Sequence, residues 1–150
     1  MIYKNIPEKF NKQFSAAGCY VECGGEILLL YRTDVGYEGN KWGLPGGMID
    51  EGESESDAVI REIKEETGLE FLSNQVEYLA EVFVDLPAGR HGLPARNFIY
   101  HMFRTRITEK PEIKIDQNEH KAFKWVRPDE ALKMNLVSGL DECIKMVYEV

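Results

Sequence analysis

Between Ser54 and Gly68 the chain carries a helix that cannot settle on its own charges. Ser54 stands where an N-cap would, with Asp57 three residues on in a pattern similar to a capping box. Gly68 is placed to end the helix in the left-handed conformation, so the spacing predicts a helix from Glu55 to Thr67. At roughly 100° per residue, Glu62, Glu65 and Glu66 fall within an arc of about 100°, while Val59, Ile60, Ile63 and Thr67 share a neighbouring face suited to packing on a sheet. Three carboxylates on adjacent turns repel one another unless positive charge sits between them, and a hard divalent cation with oxygen ligands supplies that charge. Arg61, beside the acidic face, is placed to pair with Glu53 or a neighbouring carboxylate and so brace the preceding loop on the helix.

A Glu-x-x-Glu-Glu cluster on an arbitrary helix is ordinarily a solvated face. Three features argue otherwise: the Pro45-Gly46-Gly47 approach, Glu53 at its spacing, and the Arg61-Glu62 entry. Glycines at 46 and 47 let backbone come close, and a carbonyl there is able to join a metal shell.

Around this segment the chain reads as one domain over residues 1–150, without repeats or linkers. Phe14 to Val21 and Glu26 to Tyr31 read as strands joined at a Gly24-Gly25 turn. Thr33 to Gly47, with five glycines and a proline, reads as an ordered loop with no element of its own. Val76 to Val84, Asn97 to Thr105 and Ala122 to Val126 read as strands, with a polar loop from Asp85 to Arg96. Pro128-Asp129-Glu130 opens a short helix, and Leu140 to Tyr148 reads as an amphipathic one. The elements lack a regular βαβ rhythm, which favours a mixed sheet covered by helices.

With 43% hydrophobic and 11% aromatic residues, a real core is within reach and disulfide staples are not needed. Three irregularly spaced cysteines, Cys19, Cys23 and Cys143, make neither a disulfide framework nor a C-x-x-C motif. Cys19 and Cys23 read as small buried hydrophobes. No signal-like or membrane-length apolar run is present, and a reducing cytoplasm is the expected setting. The net charge of −8 argues against stable nucleic-acid binding and leaves a small phosphorylated ligand open, approached through metal.

The segment from Gly47 to Leu69 resembles the Nudix box, G-x5-E-x7-R-E-U-x-E-E-x-G-U with U aliphatic, at every defined position. Trp42-Gly43-Leu44-Pro45-Gly46-Gly47 looks like the family's lead-in, and Trp125-Val126 through Pro128-Asp129-Glu130-Ala131-Leu132 resembles its C-terminal part. The resemblance implies the Nudix fold, an α/β/α sandwich around a mixed β-sheet, and metal-dependent hydrolysis of a diphosphate bond in a nucleoside diphosphate derivative such as a nucleoside triphosphate or nucleotide sugar. It implies Mg2+, with Mn2+ as a substitute, held by Glu62, Glu65, Glu66 and the Gly46 carbonyl. Glu53, Arg61 and Gly47 would support the box. Family members differ in the general base: Glu62 and Glu119 are the candidates, with Glu112 and Asp116 as weaker stand-ins.

For the substrate, Arg32 follows a strand end where relatives place a residue near the phosphates, and Arg90, His91 and Arg96 lie in a loop that shapes substrate choice in the family. Tyr37, Trp42 and Phe83 are able to stack on a base, although core or rim packing is the commoner use of such residues. His101 reads as a packed strand histidine. In the window where relatives specific for ADP-ribose or diadenosine polyphosphates carry a marker residue, this chain has Asp85-Leu86-Pro87, which fits neither pattern. A homodimer is compatible, with the segment Ile2 to Phe10 as a candidate contact. Two alternatives come from the same fold: a catalytically inactive ligand-binding or regulatory domain, against which the intact box argues, and an isoprenoid diphosphate isomerase, which needs a catalytic cysteine and a histidine-rich metal set.

Overall fold

In this computed structural model the described residues are 1–34, 38–88 and 94–150. Tyr37, Arg90 and His91 lie outside them. The central hairpin is β2 (Phe14–Cys23) and β3 (Glu26–Arg32), following β1 (Ile2–Tyr3). Gly24 and Gly25 turn it at φ 59° and 82°, a region only glycine enters freely. The two strands pair only at this closed end, Glu22 with Ile27 and Cys23 with Glu26. Beyond it they part, and the gap is filled by β4 (Trp42–Gly43), which bonds to β3, and β5 (Gly46–Met48), which bonds to β2. The Cys19 N–H donates to the Pro45 carbonyl between them at 3.0 Å.

On its other edge β2 runs parallel to β7 (Arg96–Ile107) over its whole length, from Phe14 opposite Phe98 to Cys23 opposite Ile107. β6 (Glu77–Leu86) pairs antiparallel with β7, and β1 with β6. β8 (His120–Val126) closes the free edge of β3. One parallel pair among antiparallel ones makes the sheet mixed, as expected.

Alternation along β2 and β3 sends side chains to two cores. Ala17, Cys19, Val21, Leu28 and Leu30 meet Val59 and Ile63 of α1 (Glu55–Thr67) on one face. Tyr20, Ile27 and Leu29 meet Leu140, Cys143 and Ile144 of α3 (Leu140–Tyr148) on the other, beside the short α2 (Pro128–Ala131). Helices thus cover both faces of the sheet, which is why its inner strands read as apolar throughout.

The loop reading for Thr33 to Gly47 needs correcting, because β4 and the start of β5 lie inside it. Strands of two and three residues leave no alternation to read, and their order comes from pairing with β2 and β3. The segment offered as a dimer contact starts by pairing within the chain, Ile2 with Val84 and Tyr3 with Phe83.

Ile63 is fully buried between α1 and the sheet. Replacing it with alanine is expected to cost about 2–5 kcal/mol in urea unfolding, by lost burial and a residual cavity. A loss below about 1 kcal/mol would mean that α1 does not depend on this contact.

Candidate active site

The helix forms as its ends dictate. The Ser54 hydroxyl accepts from the Asp57 N–H at 3.1 Å, and Gly68, at φ 80°, donates to the Lys64 carbonyl at 2.9 Å. Packing Val59 and Ile63 on the sheet rolls the acidic face partly inward, so its three carboxylates sit at different depths. Glu66 is 3% exposed, whereas the Glu65 side chain stays 55% exposed at the rim. Glu62 lies between these extremes, its side chain 14% exposed.

Arg61 ties the preceding loop to this face. Its Nε and Nη2 donate to the two oxygens of Glu53 at 2.8 and 3.0 Å, the two-pronged geometry that a planar guanidinium favours. Nη1 reaches Glu62 Oε1 at 2.9 Å and the Glu65 carboxylate at 3.4 Å, and Nη2 also donates to the Met48 carbonyl at 3.1 Å. The guanidinium holds the Glu53 carboxyl below its ordinary range, helped by the Asp50 N–H.

β5 is wedged between β2 and the acids. A Cβ on Gly46 would stand 2.2 Å from the Ala17 carbonyl oxygen, and one on Gly47 would stand 2.6 Å from the Glu62 carboxyl. Gly46 therefore needs glycine, because the clash is with backbone, whereas a side chain at Gly47 would displace the Glu62 carboxyl from its place. The Gly46 N–H donates to Glu66 Oε1 at 2.7 Å. That single bond and Arg32 nearby only partly offset burial, and with Glu62 and Glu119 adding negative charge the Glu66 carboxyl is pushed well up. Burial is also the main cause that raises Glu62, against the pull of Arg61.

The third side comes from the entry to β8. The Thr33 N–H donates to the Glu119 carbonyl at 2.9 Å, and the N–H groups of Glu119 and His120 both donate to the Asp116 carbonyl, at 3.0 and 2.8 Å. One ligand atom each from Glu66, Glu119 and His120 lie within 4.8 Å of one another. Burial chiefly, and Arg32 next, lower His120 to about 4, so its imidazole is neutral.

These groups line one end of a cleft of about 570 Å3, with Arg32, Thr33 and Asn118 beside them. At its other end Phe14 and Phe98 stack with centroids 4.7 Å apart and rings 12° from parallel. The Arg96 guanidinium lies over both, 5.0 and 5.5 Å from the ring centres. Val84, Leu86 and Leu140 complete the apolar wall.

A family profile described as NUDIX domain matches residues 12–147. The chain belongs to the Nudix family. It is 27% identical to a CTP pyrophosphohydrolase of Escherichia coli (strain K12) over 125 residues, 83% of this chain and 84% of that one. It is 34% identical to an RNA pyrophosphohydrolase of Sulfurovum sp. (strain NBC37-1) over 114 residues, 70% of this chain and 68% of that one. Its fold is that of the MutT protein from Methanosarcina mazei Go1, with TM-score 0.73 at 24% identity, over 89% of this chain and 91% of the other. The chain is thus a Nudix hydrolase with an α/β/α architecture.

Of the residues singled out in the sequence, the Nudix fold brings Glu62, Glu66, Glu119, Gly46, Gly47, Arg32 and Arg96 to the one cleft. Glu53 and Arg61 stand behind it as the brace, and Glu65 faces Arg61 at the rim. Gly46 shows its N–H to Glu66. Glu112 is exposed, and the Asp116 carboxylate accepts from the Asn118 N–H in its own turn. Trp42 packs on Tyr31, Phe83 packs edge-on against Phe10, and His101 bonds the Tyr78 hydroxyl, so all three are packing residues. All three cysteines are buried and free. His120, Phe14 and Phe98 were not anticipated. Adjacency to Glu119 was the one available signal for His120. The two phenylalanines meet only through the β2–β7 register.

The raised Glu66 carboxyl has a consequence for metal-free protein. The native carboxyl holds its proton to higher pH than the unfolded chain, which gives it up near an ordinary glutamate pKa of about 4.3, so this group lowers stability as pH rises above that value. Glu66→Gln is therefore expected to melt higher than the wild type near neutral pH, with the gain shrinking toward about pH 4.3. A gain that stays flat across that range in thermal unfolding would show that Glu66 is not held protonated.

Proposed function

We propose that this Nudix hydrolase cleaves the diphosphate linkage of a small nucleoside diphosphate derivative, using a divalent cation held at the acidic end of the cleft. The supporting observation is that the cleft has two chemically distinct ends. Glu62, Glu66 and Glu119 converge with Arg32 at one, and the Phe14, Phe98 and Arg96 stack forms the other. A cleft of about 570 Å3 is of a size that encloses a small ligand.

The residues present fit a cation. Glu66 is buried, pushed toward the neutral form, and has one backbone donor, so positive charge beside it relieves an existing cost. Glu66, Glu62 and Glu119 would hold it, with the Gly46 carbonyl alongside and Glu65 at the rim. Mg2+ is the expected ion, with Mn2+ as substitute. Such an ion, when bound, neutralises phosphate oxygens and makes water more acidic. Arg32 would grip a phosphate. Glu62 or Glu119 would take the proton from water, Glu62 steadied by Arg61 and Glu119 exposed to solvent. The aromatic end would receive the base, where Phe14, Phe98 and Arg96 offer stacking area rather than hydrogen bonds. The pyrophosphohydrolase names of the Escherichia coli and Sulfurovum relatives accord with this reaction. The acidic net charge favours a free nucleotide over a polymer, and among the described residues no helix is long and apolar enough to cross a membrane. A cytoplasmic setting accords with three buried free thiols.

The test is product release from a panel of nucleotides, nucleotide sugars and dinucleotides with and without Mg2+. Cleavage of at least one compound only with metal is expected, and Glu66→Gln and Glu119→Gln should each lower kcat by about 100-fold or more while melting as folded proteins. Glu65→Gln should also lose most turnover, and full activity would remove Glu65 from the site. Silence across the panel from folded, Mg2+-binding protein would overturn the hydrolytic reading in favour of a ligand-binding domain.

A further inference from the structure

We propose that His120 is itself a ligand of the cation, so that the site is a mixed nitrogen and oxygen site. The inference rests on the metal-assisted reading above and adds to it which metals the site prefers.

His120 is 3% exposed, yet among the described residues no hydrogen bond reaches either ring nitrogen. Nδ1 is buried with no partner, and Nε2 faces Glu66 Oε2 at 3.7 Å, too far for a hydrogen bond. The molecule supplies its own contrast. His101, 8% exposed on the neighbouring arm of the sheet, has Nδ1 paired with the Tyr78 hydroxyl at 3.0 Å. A histidine buried for packing is satisfied in that way, and buried polar groups left without partners call for a reason.

The orphaned Nδ1 shows that no hydrogen-bond partner fixes this ring, and the other nitrogen, Nε2, is the one whose spacing to Glu66 fits an ion. Two ligands each about 2.1 Å from the same ion stand at most about 4.2 Å apart, so 3.7 Å between Nε2 and Oε2 is a distance that one ion spans. Glu119 belongs to the same cluster, one ligand atom from each of the three residues lying within 4.8 Å of the others. Successive residues of a regular strand point to opposite faces. Here the β3–β8 register shifts between Tyr31 and Arg32, with Arg32 opposite His120 and Glu119 just before the strand. Glu119 itself lies outside the strand, in the turn where its N–H and that of His120 both donate to the Asp116 carbonyl, so the strand alternation does not govern this pair.

A carboxylate-only site suits Mg2+, whereas an imidazole ligand moves preference toward borderline first-row ions such as Co2+ and Zn2+, with Mn2+ able to occupy either kind. The site should therefore bind Co2+ much more tightly than Mg2+, and that margin should depend on His120.

Mn2+ is the probe for the test, with full-length protein selectively labelled with 15N-histidine. Pulsed EPR of bound Mn2+ is expected to show a histidine nitrogen coupling that changes from the 14N to the 15N pattern on labelling. It should persist in His91→Gln and His101→Gln and vanish in His120→Gln, whose Co2+ affinity should fall about tenfold or more with a smaller change for Mg2+. If His120→Gln fails to fold, the labelled wild type decides together with the two other variants. Mn2+ that binds with no histidine coupling overturns this inference and leaves the proposed hydrolysis standing. Protein that binds no Mn2+ at all removes both.

Discussion

A carboxylate costs much to bury, and the site is arranged around that cost at Glu66. Its burial follows from Val59 and Ile63 being pressed on the sheet, since a helix that lays those residues inward carries Glu66 with them. The protein compensates with one backbone donor from Gly46 and the charge of Arg32, and then adds two more carboxylates. What would be a defect in a structural core is an unmet electrostatic demand in a Nudix hydrolase. Arg61 does not meet that demand, because its donors are spent on Glu53, Glu62, Glu65 and the Met48 carbonyl. It fixes the outer acids and leaves the inner one open.

The parting of β2 from β3 makes room for this. Had the hairpin paired along its length, the Gly46 and Gly47 backbone would have no edge of β2 to occupy and no access to Glu62 and Glu66. The opening also sets the direction of the cleft. Its acidic end lies between β5 and the entry to β8, and its apolar end lies where β2 and β7 begin. The charged and the aromatic parts of the cleft thus come from two places in one topology.

Legibility in the sequence followed the range of the interactions. α1 was readable to the residue, because Ser54, Asp57 and Gly68 act within a turn of the ends they cap. The long strands were readable to within a residue or two from their apolar runs. β4 and β5 were not, since two- and three-residue strands exist only by pairing with distant partners. The same limit hid the Phe14–Phe98 stack and the closeness of His120 to Glu66, which depend on sheet register between remote segments. Glu119 is legible as a candidate from its place just before the strand that bears Trp125, whereas a lone histidine opening that strand carries no local signal of its own.

The parallel pairing of β2 with β7 joins segments that are far apart in sequence, Phe14 lying opposite Phe98, and such contacts close slowly because the loop entropy is lost before the contacts form. α1, by contrast, is a local element able to form early. During folding the acidic helix would therefore exist for a time without β8 and without the wall that β7 supplies. A cation that needs both Glu66 and the β8 entry has no complete shell until that closure, so it binds the finished fold in preference to its precursors and stabilises it by mass action. On the proposed metal-assisted reading, metal supply would then act on how much folded protein there is as well as on how fast it works.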